Sequence, residues 1–362
     1  MALSKIPSAG FQDNVKFRNI IINGDMSIAQ RSTSTASITS TGYHTVDRWR
    51  TPITTQGTWT QSQSTDVPSG QGFSSSLKMD CTTADASPAA GDVLIFMQKF
   101  EGQNLQYIKK GTSSAESLTL SFWVKSNKTG TYIAELRDND NTRQISKTYT
   151  ISSASTWEKK TITYDGDTTG TLDNDNGGSL DLFLWLGAGS NYTSGTLNTS
   201  WGTTVDANRA VGQVNLADST SNEWYITGVQ LEAGTTASDF EFLPYDVNLE
   251  RCMRYYQVYL NGNDDGLGMA SCHTTATAYA SLQLLKKMRT VPSIDQVSGT
   301  SYYILFNNSN SDLFDSFTLS SSTSTNTAVR LNNTDSIGVT QGHAGWFESN
   351  NASSFVAMDA EL

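Results

Sequence analysis

The stretch "SLDLFLWLG" at residues 179–187 puts Leu180, Leu182, Leu184 and Leu186 at every second position. A period of two sends those leucines to one face of an extended chain and Asp181, Phe183 and Trp185 to the other, the pattern of a β-strand rather than of a helical stripe. "TLSFWVKS" divides in the same way, with Leu120, Phe122 and Val124 set against Ser121, Trp123 and Lys125.

Comparable segments recur up to about residue 245, among them "SSLKMDC" (75–81), "DVLIFMQKF" (92–100), "GTYIAELRD" (130–138), "EKKTITYDG" (158–166) and "EWYITGVQLEAG" (223–234). Spacers such as "SNKTG", "RDNDNT" and "LDNDNGG" carry the Asn, Asp and Gly that tight turns require. Composition agrees: only 16% of the 362 residues are charged, 28 are Gly and 6 are Pro. Many short strands with little helix predict an all-β sandwich or jelly roll, not a βαβ array.

Two helical segments interrupt the pattern. "QNLQYIKKG" (103–111) spaces Leu105 and Ile108 by three residues and stops at Gly111, which predicts a helical turn or two. "DVNLERCMRYYQVYL" (246–260) puts Leu249, Cys252, Met253 and Tyr256 on one face and reads as a connector helix. Beyond it the β pattern resumes in "TATAYASLQL", "SYYILFNNS", "SFTLSSS", "NTAVRLNN" and "SSFVAMDAEL". The length exceeds what one core usually supports. The predicted division is an N-terminal segment (1–17), a β-sandwich (18–245), a connector helix (246–260) and a second β-sandwich (261–362).

A net charge of −11 argues against nucleic acid or an anionic membrane surface as the main partner. Cys81, Cys252 and Cys272 form no close-spaced pair, so neither a disulfide framework nor a zinc knuckle is readable. The first residues lack the apolar run of a signal peptide, and no stretch approaches a membrane span. A protein made in the cytoplasm is the expectation.

Catalysis would need a nucleophile with its base, an acid and base pair, or a metal cluster. His44, His273 and His343 show no ligand spacing, and neither Gly-x-Ser-x-Gly nor a P-loop occurs. A non-enzyme is expected, although a carboxylate pair of the glycosidase kind meets in space and leaves no spacing to read. No cofactor is expected. "DNDN" at 138–141 and 173–176 suits Asx turns; a calcium loop using Asp173 and Asp175 is the alternative, without the distal Glu of the full pattern.

Aromatic rings beside Asp, Asn and Gln suit sugars, which offer an apolar CH face for stacking and hydroxyls for hydrogen bonds. Trp123 and Trp185 are the leading platforms, with Asp181 beside them and Tyr192 and Trp201 in nearby loops. Alternatively these rings pack under a loop, a second domain or a neighbouring subunit.

Three stretches carry a resemblance. "RNIIINGDMSIAQRS" with "GYHTVDRW", then "SLTLSFWVKSNKTGTY" with "TWEKKTITYDGDTTG", then "EWYITGVQLEAGTTASDFEFLPYDVNLERCMRYYQ" resemble a family of bacteriophage tail-fibre and virion proteins abundant in marine phages. The likeness spans roughly residues 18 to 257. Glu250 in "LERCMRYYQ" matches the family's acidic residue, whereas "LPYDVN" stands where the family often has "RPYGEE". The resemblance implies a first module similar to carbohydrate-binding-module jelly rolls, a distal variable β domain, homotrimers, and a structural or host-adhesion role on the virion surface, tail or capsid. It implies a host surface glycan or receptor as partner, with residues 1–17 docking on another virion protein. A decoration or adaptor protein without a ligand is the second reading, and a depolymerase the third. Within that frame "NIIING" is the first strand of the module, ended by a turn at Asn23-Gly24, while Asp47-Arg48-Trp49 opens the next strand with Trp49 in the core.

Overall fold

The computed structural model describes residues 17–307 and 310–362. The fold is all-β, in two β-sandwich units with little helix. One unit runs to Ser27 and takes in Ala36–Thr41 and Thr51–Tyr245; the other comprises Ile28–Thr35, Gly42–Arg50 and Asp246–Leu362. The expected division is therefore corrected near its start, because two pieces of the stretch assigned to the first sandwich belong to the second unit. Apart from Phe17, the expected attachment segment lies outside the described residues.

In the first unit the principal strands are β1 (Thr58–Ser64), β2 (Ser76–Thr83), β3 (Val93–Glu101), β4 (Leu118–Ser126), β5 (Gly130–Asp138), β6 (Arg143–Ile151), β7 (Glu158–Tyr164), β8 (Gly178–Ala188) and β9 (Glu223–Ala233). They form one sheet in the order β1-β2-β9-β4-β7 and another in the order β6-β5-β8-β3. Leu180, Leu182, Leu184 and Leu186 are fully buried, as their alternation requires. Aromatic contacts join the sheets: Phe96 of β3 lies 5.8 Å from Trp224 of β9, and Phe122 of β4 lies 5.1 Å from Tyr149 of β6. The predicted turns at 103–111 are the 3-10 helices Gly102–Asn104 and Gln106–Ile108.

"NIIING" is not a strand. The reason lies in β9, whose pairing with β4 shifts register between Thr227 and Gln230, with Gly228 at φ +62°. A bulge leaves local backbone groups outside the ladder, and the N-terminal segment supplies their partners. Val229 N–H donates to Gly24 O at 2.9 Å, and Asn19 Nδ2 donates to Val229 O at 3.0 Å. Gln98 then acts as a single-residue strand: its Oε1 accepts from Ile22 N–H at 2.8 Å and its Nε2 donates to Ile22 O at 2.9 Å. The turn at Asn23-Gly24 is present, with Met26 N–H donating to Asn23 O. Gly24 has to be glycine there, since a Cβ would lie 2.1 Å from Val229 O.

The second unit holds β10 (Tyr256–Asn261), β11 (Gly266–Cys272), β12 (Ala278–Gln283), β13 (Ser293–Val297), β14 (Tyr303–Asn307), β15 (Asn310–Phe314), β16 (Phe317–Leu319), β17 (Ala328–Asn333), β18 (Ala344–Ser349) and β19 (Phe355–Asp359). Among the described residues these make a three-stranded sheet, β10-β19-β13, and a seven-stranded sheet, β15-β14-β18-β11-β12-β17-β16. Both contribute to one core, including Leu260, Val356 and Met358 from the first and Leu267, Tyr303, Leu305 and Phe347 from the second. The connector helix expected over 246–260 is shorter, α1 (Tyr245–Met253). The aromatic and β-branched run that follows favours a strand, and Tyr256–Asn261 pairs with β19.

Asp47 and Arg48 occupy a turn rather than a strand, and Trp49 is fully buried. Arg48 adopts φ +72°, forms an ion pair with Glu361, and sets its guanidinium 3.4 Å from the centre of the Tyr255 ring. Arg31 bonds Asp359 at 3.2 Å and stacks on Tyr256 at 3.6 Å. Asp47 accepts hydrogen bonds from Gln30 N–H and Gln30 Nε2. The three cysteines are buried and free.

Two outcomes follow from these contacts. Gln98→Leu orphans the buried N–H and C=O of Ile22, at about 1–3 kcal/mol for each group, so urea unfolding should show a loss of roughly 2–4 kcal/mol in the first unit. Burial pushes the Asp47 carboxyl up to about 6 from 3.8, against the pull of Arg31 and the Gln30 donors. The folded chain then binds this proton more tightly than the unfolded chain, so the stability it contributes is full below the unfolded value and is lost as pH rises through the folded one. Between pH 4 and 7 the stability difference between wild type and Asp47→Asn should move by roughly 2–2.5 kcal/mol in favour of the variant; a flat difference would contradict this.

Candidate functional site

The expected platform residues separate in the structure. Asp181, Phe183 and Trp185 do project from the face of β8 opposite the leucines, but that face is covered. The connection after β8 folds back over it, beginning with a single helical turn at Ser190–Thr193, and Tyr192, Leu197 and Ala210 pack on Ile95, Met97, Ile133, Phe183 and Trp185. Trp185 has no exposed surface, and Tyr192 leans on it at 5.4 Å. Asp181 is buried between Lys99 and Arg137, its partners on the two neighbouring strands. The expectation that Trp185 and Asp181 offer a solvent-facing platform is corrected: alternation assigns a face, and a loop then closes it.

What the covered face contains is a buried ion pair. Arg209 Nε donates to Glu135 Oε1 at 2.9 Å, and Trp185 Nε1 donates to Glu135 Oε2 at 2.8 Å. The Arg209 guanidinium lies 5.1 Å from the ring centres of both Phe183 and Trp185. Burial raises the Glu135 carboxyl, and the Arg209 charge opposes that rise. The arrangement clamps the loop to the sheet.

Trp201 is also committed: its Nε1 donates to Asp165 O at 2.7 Å, and Lys110 Nζ stands 5.4 Å from its ring centre. That ammonium fills an oxygen-lined gap, bonding Thr169 O and Gly170 O at 2.9 Å and the carboxylates of Asp138 and Asp167. In the adjacent loops Asp175 Oδ1 accepts from Gly177 N–H at 2.7 Å, an Asx turn, and Asp173 N–H donates to Asp140 Oδ2. Among the described residues no group of three or more His, Cys, Asp or Glu is placed to hold a metal ion.

Trp123 differs from the others. It projects from the outer face of the sheet β1-β2-β9-β4-β7, half-buried, between Lys159 of β7 and Thr227 of β9. Beside it opens a groove of about 170 Å³, also lined by Gln71, Ser121, Lys159, Asp239 and the rings of Phe73, Phe240 and Phe242. The three phenylalanines pack with ring centres 4.9–5.1 Å apart. The bulge in β9 seats them: the Phe73 ring lies over Gly228, where a Cβ would come within 2.5 Å of it.

Side chains of the same strand hold the opposite wall. Gln230 Oε1 accepts from Glu241 N–H at 2.9 Å, and Glu232 Oε1 accepts from Ser238 N–H at 2.8 Å, so the backbone carrying Phe240 is pinned to the sheet. Phe242, at 45% exposure, forms the rim. Further along the face, Trp157, Tyr225 and Lys125 are tied together: Trp157 Nε1 donates to Asp66 Oδ1 at 2.9 Å, Asp66 pairs with Lys125, and Lys125 Nζ sits 4.1 Å from the Tyr225 ring centre. The groove therefore joins an indole face to a hydroxyl, an exposed ammonium and an exposed carboxylate, a set that stacks one side of a sugar ring and hydrogen-bonds its edge. The phenylalanine wall was legible only as the two-residue spacing of Phe240 and Phe242 in "DFEFLPYD".

No protein-family model and no curated protein matches the chain. Solved structures that it is similar to include the enzymatically active domain of tailspike protein 4 of bacteriophage CBA120, with 16% identity over 60% of this chain and 21% of that one and a TM-score of 0.31. TmCBM61 in complex with β-1,4-galactotriose shows 10% identity over 60% of this chain and 99% of that one, with a TM-score of 0.31. The family 11 carbohydrate-binding module from Clostridium thermocellum, in complex with a β-1,3-1,4-mixed-linked tetrasaccharide, shows 10% identity over 57% and 99%, with a TM-score of 0.28. Among the described residues no helix is long and apolar enough to cross a membrane.

The clamp on the covered face is testable. Arg209→Met leaves Glu135 buried without its cation, and breaking such a pair costs about 3–5 kcal/mol. Thermal or urea unfolding at pH 7 should show that loss, and the loss should shrink toward acid pH as Glu135 takes up a proton.

Proposed function

We propose that the chain is a glycan-binding attachment protein displayed on the outside of a phage virion, as a tail fibre or similar external fibre. The observation that carries the binding role is the open groove beside Trp123, where an indole face stands next to Ser121, Lys159 and Asp239. The virion setting, the trimeric state and the docking of residues 1–17 on another virion protein are supported by the resemblance of the three stretches quoted above. The proposed action is binding without bond cleavage and without a cofactor. A small groove with one indole face beside a phenylalanine wall suits weak contacts, and three copies on one fibre would convert weak sites into firm attachment. The host cell's surface glycan is the proposed partner.

Trp123→Ala is the test, measured as adsorption of the purified oligomer to host cells and as retention on immobilised host surface glycan. Binding should fall on the order of tenfold, about 1.4 kcal/mol per site, while the melting temperature stays within a few degrees because the ring is half-buried on an outer face. Unchanged binding by a folded variant, or release of soluble sugar by the wild type, would overturn the reading.

A further inference from the structure

The outer face of the sheet β1-β2-β9-β4-β7 carries three lysines beside its aromatic rings, Lys78 on β2, Lys125 on β4 and Lys159 on β7. Lys78 and Lys125 stand opposite Tyr225 from its two sides, and Lys159 stands opposite Trp123, so all three share that face. Two of them are neutralised within the chain. Lys78 Nζ lies 3.0 Å from Glu223 Oε2 and 3.3 Å from Asp80 Oδ1, and Lys125 pairs with Asp66. Lys159 is exposed and forms no ion pair among the described residues, although acidic side chains outnumber lysines and arginines by 35 to 24. It also lines the groove beside Trp123.

Sheet order fixes where the two charges of the groove stand. β7 and β9 are the neighbours of β4, so Trp123 has Lys159 on one side and Thr227 on the other. Asp239 belongs to the β9 side. The backbone around it is tied to β9 through Gln230 at Glu241 N–H and Glu232 at Ser238 N–H, and Gln230 Nε2 also donates to Asp239 O at 3.3 Å. An exposed ammonium and an exposed carboxylate therefore flank the indole from opposite sides. A ring stacked on Trp123 turns one edge to the cation and the opposite edge to the anion. At about 170 Å³ the groove is smaller than the roughly 300–1,000 Å³ of sites that enclose a drug-sized ligand, so it takes one residue of a sugar chain.

We propose that the sugar residue held on Trp123 is a hexuronic acid, its carboxylate paired with Lys159 and its C2 and C3 hydroxyls donating to Asp239. The inference rests on the proposed glycan-binding function and names the class of sugar that the groove takes. In a hexuronic acid the carboxylate leaves the ring at C5, across the ring from C2 and C3, which matches the opposed charges. Hydroxyls donate well to an ionised carboxylate, and a carboxylate is the acceptor that the Lys159 ammonium lacks within the chain. The reverse orientation would set two carboxylates side by side at Asp239, so the charges also fix which way round the ring lies. A neutral hexose has a hydroxymethyl group at C5 and leaves the ammonium unmatched.

The test is titration of the intact chain with oligosaccharides of glucuronic, galacturonic, mannuronic and guluronic acid, and with the same oligosaccharides after their carboxyl groups are reduced to hydroxymethyl groups. Wild type, Lys159→Gln and Trp123→Ala are compared, each variant first checked for wild-type circular dichroism and melting. For at least one sugar the wild type should bind the acidic form about fivefold more tightly than the reduced form, the upper range for an exposed ion pair. That margin should shrink with added salt. Lys159→Gln should bind both forms alike, at the wild-type level for the reduced form, whereas Trp123→Ala should weaken both on the order of tenfold. The inference alone is overturned if the wild type binds immobilised host surface glycan but prefers no acidic form, or if Lys159→Gln keeps the preference. It falls together with the glycan-binding reading if the wild type binds neither host glycan nor any of these sugars, or if Trp123→Ala loses nothing.

Discussion

The bulge at Gly228–Val229 in β9 is the constraint around which the first unit is organised. By dropping Val229 out of the ladder it creates backbone groups that need partners, and Asn19 and Gly24 supply them. By placing a residue without a side chain at φ +62° it makes the seat into which Phe73 lies. Gln230 and Glu232, just beyond it, hold the 238–241 backbone and with it the aromatic wall. One irregularity thus anchors the start of the unit and shapes the groove on its outer face, a common role for bulges, which re-aim side chains at the cost of local pairing.

The two sheets of that unit treat their outer faces in opposite ways. On β8 the polar and aromatic side is roofed over, and the roof is fastened by the Glu135–Arg209 pair and the stack of Phe183, Trp185 and Tyr192. On β4 the equivalent side remains partly open at Trp123. Charge follows the same division. The buried carboxylates of Glu135, Asp138 and Asp167 are paired with Arg209 and Lys110, as a low-dielectric setting favours, while Lys159 and Asp239 stay exposed on the groove where a ligand would meet them.

Legibility varied with how local the cause was. The leucine face of β8 was readable because strand geometry alone dictates it, and the Asn23-Gly24 turn was readable from turn chemistry. "NIIING" misled because its apolar run is satisfied by a side-chain amide, Gln98, and by a bulge more than two hundred residues away. The helix expected over 246–260 was over-long because one apolar stripe continued into a run whose tyrosines and valine prefer a strand.

By itself the sequence determined the all-β class, the many short strands, and which side chains share a face, because a two-residue period and turn residues act over a few positions. Tertiary structure alone decided which of those faces water reaches. It buried Trp185 under a distant loop, left Trp123 beside an open groove, and moved residues 28–35 and 42–50 into the second unit. The physical reason is that exposure depends on what the rest of the chain places on top, and that is set by contacts between residues far apart in order, such as Arg209 with Glu135 and Arg48 with Glu361.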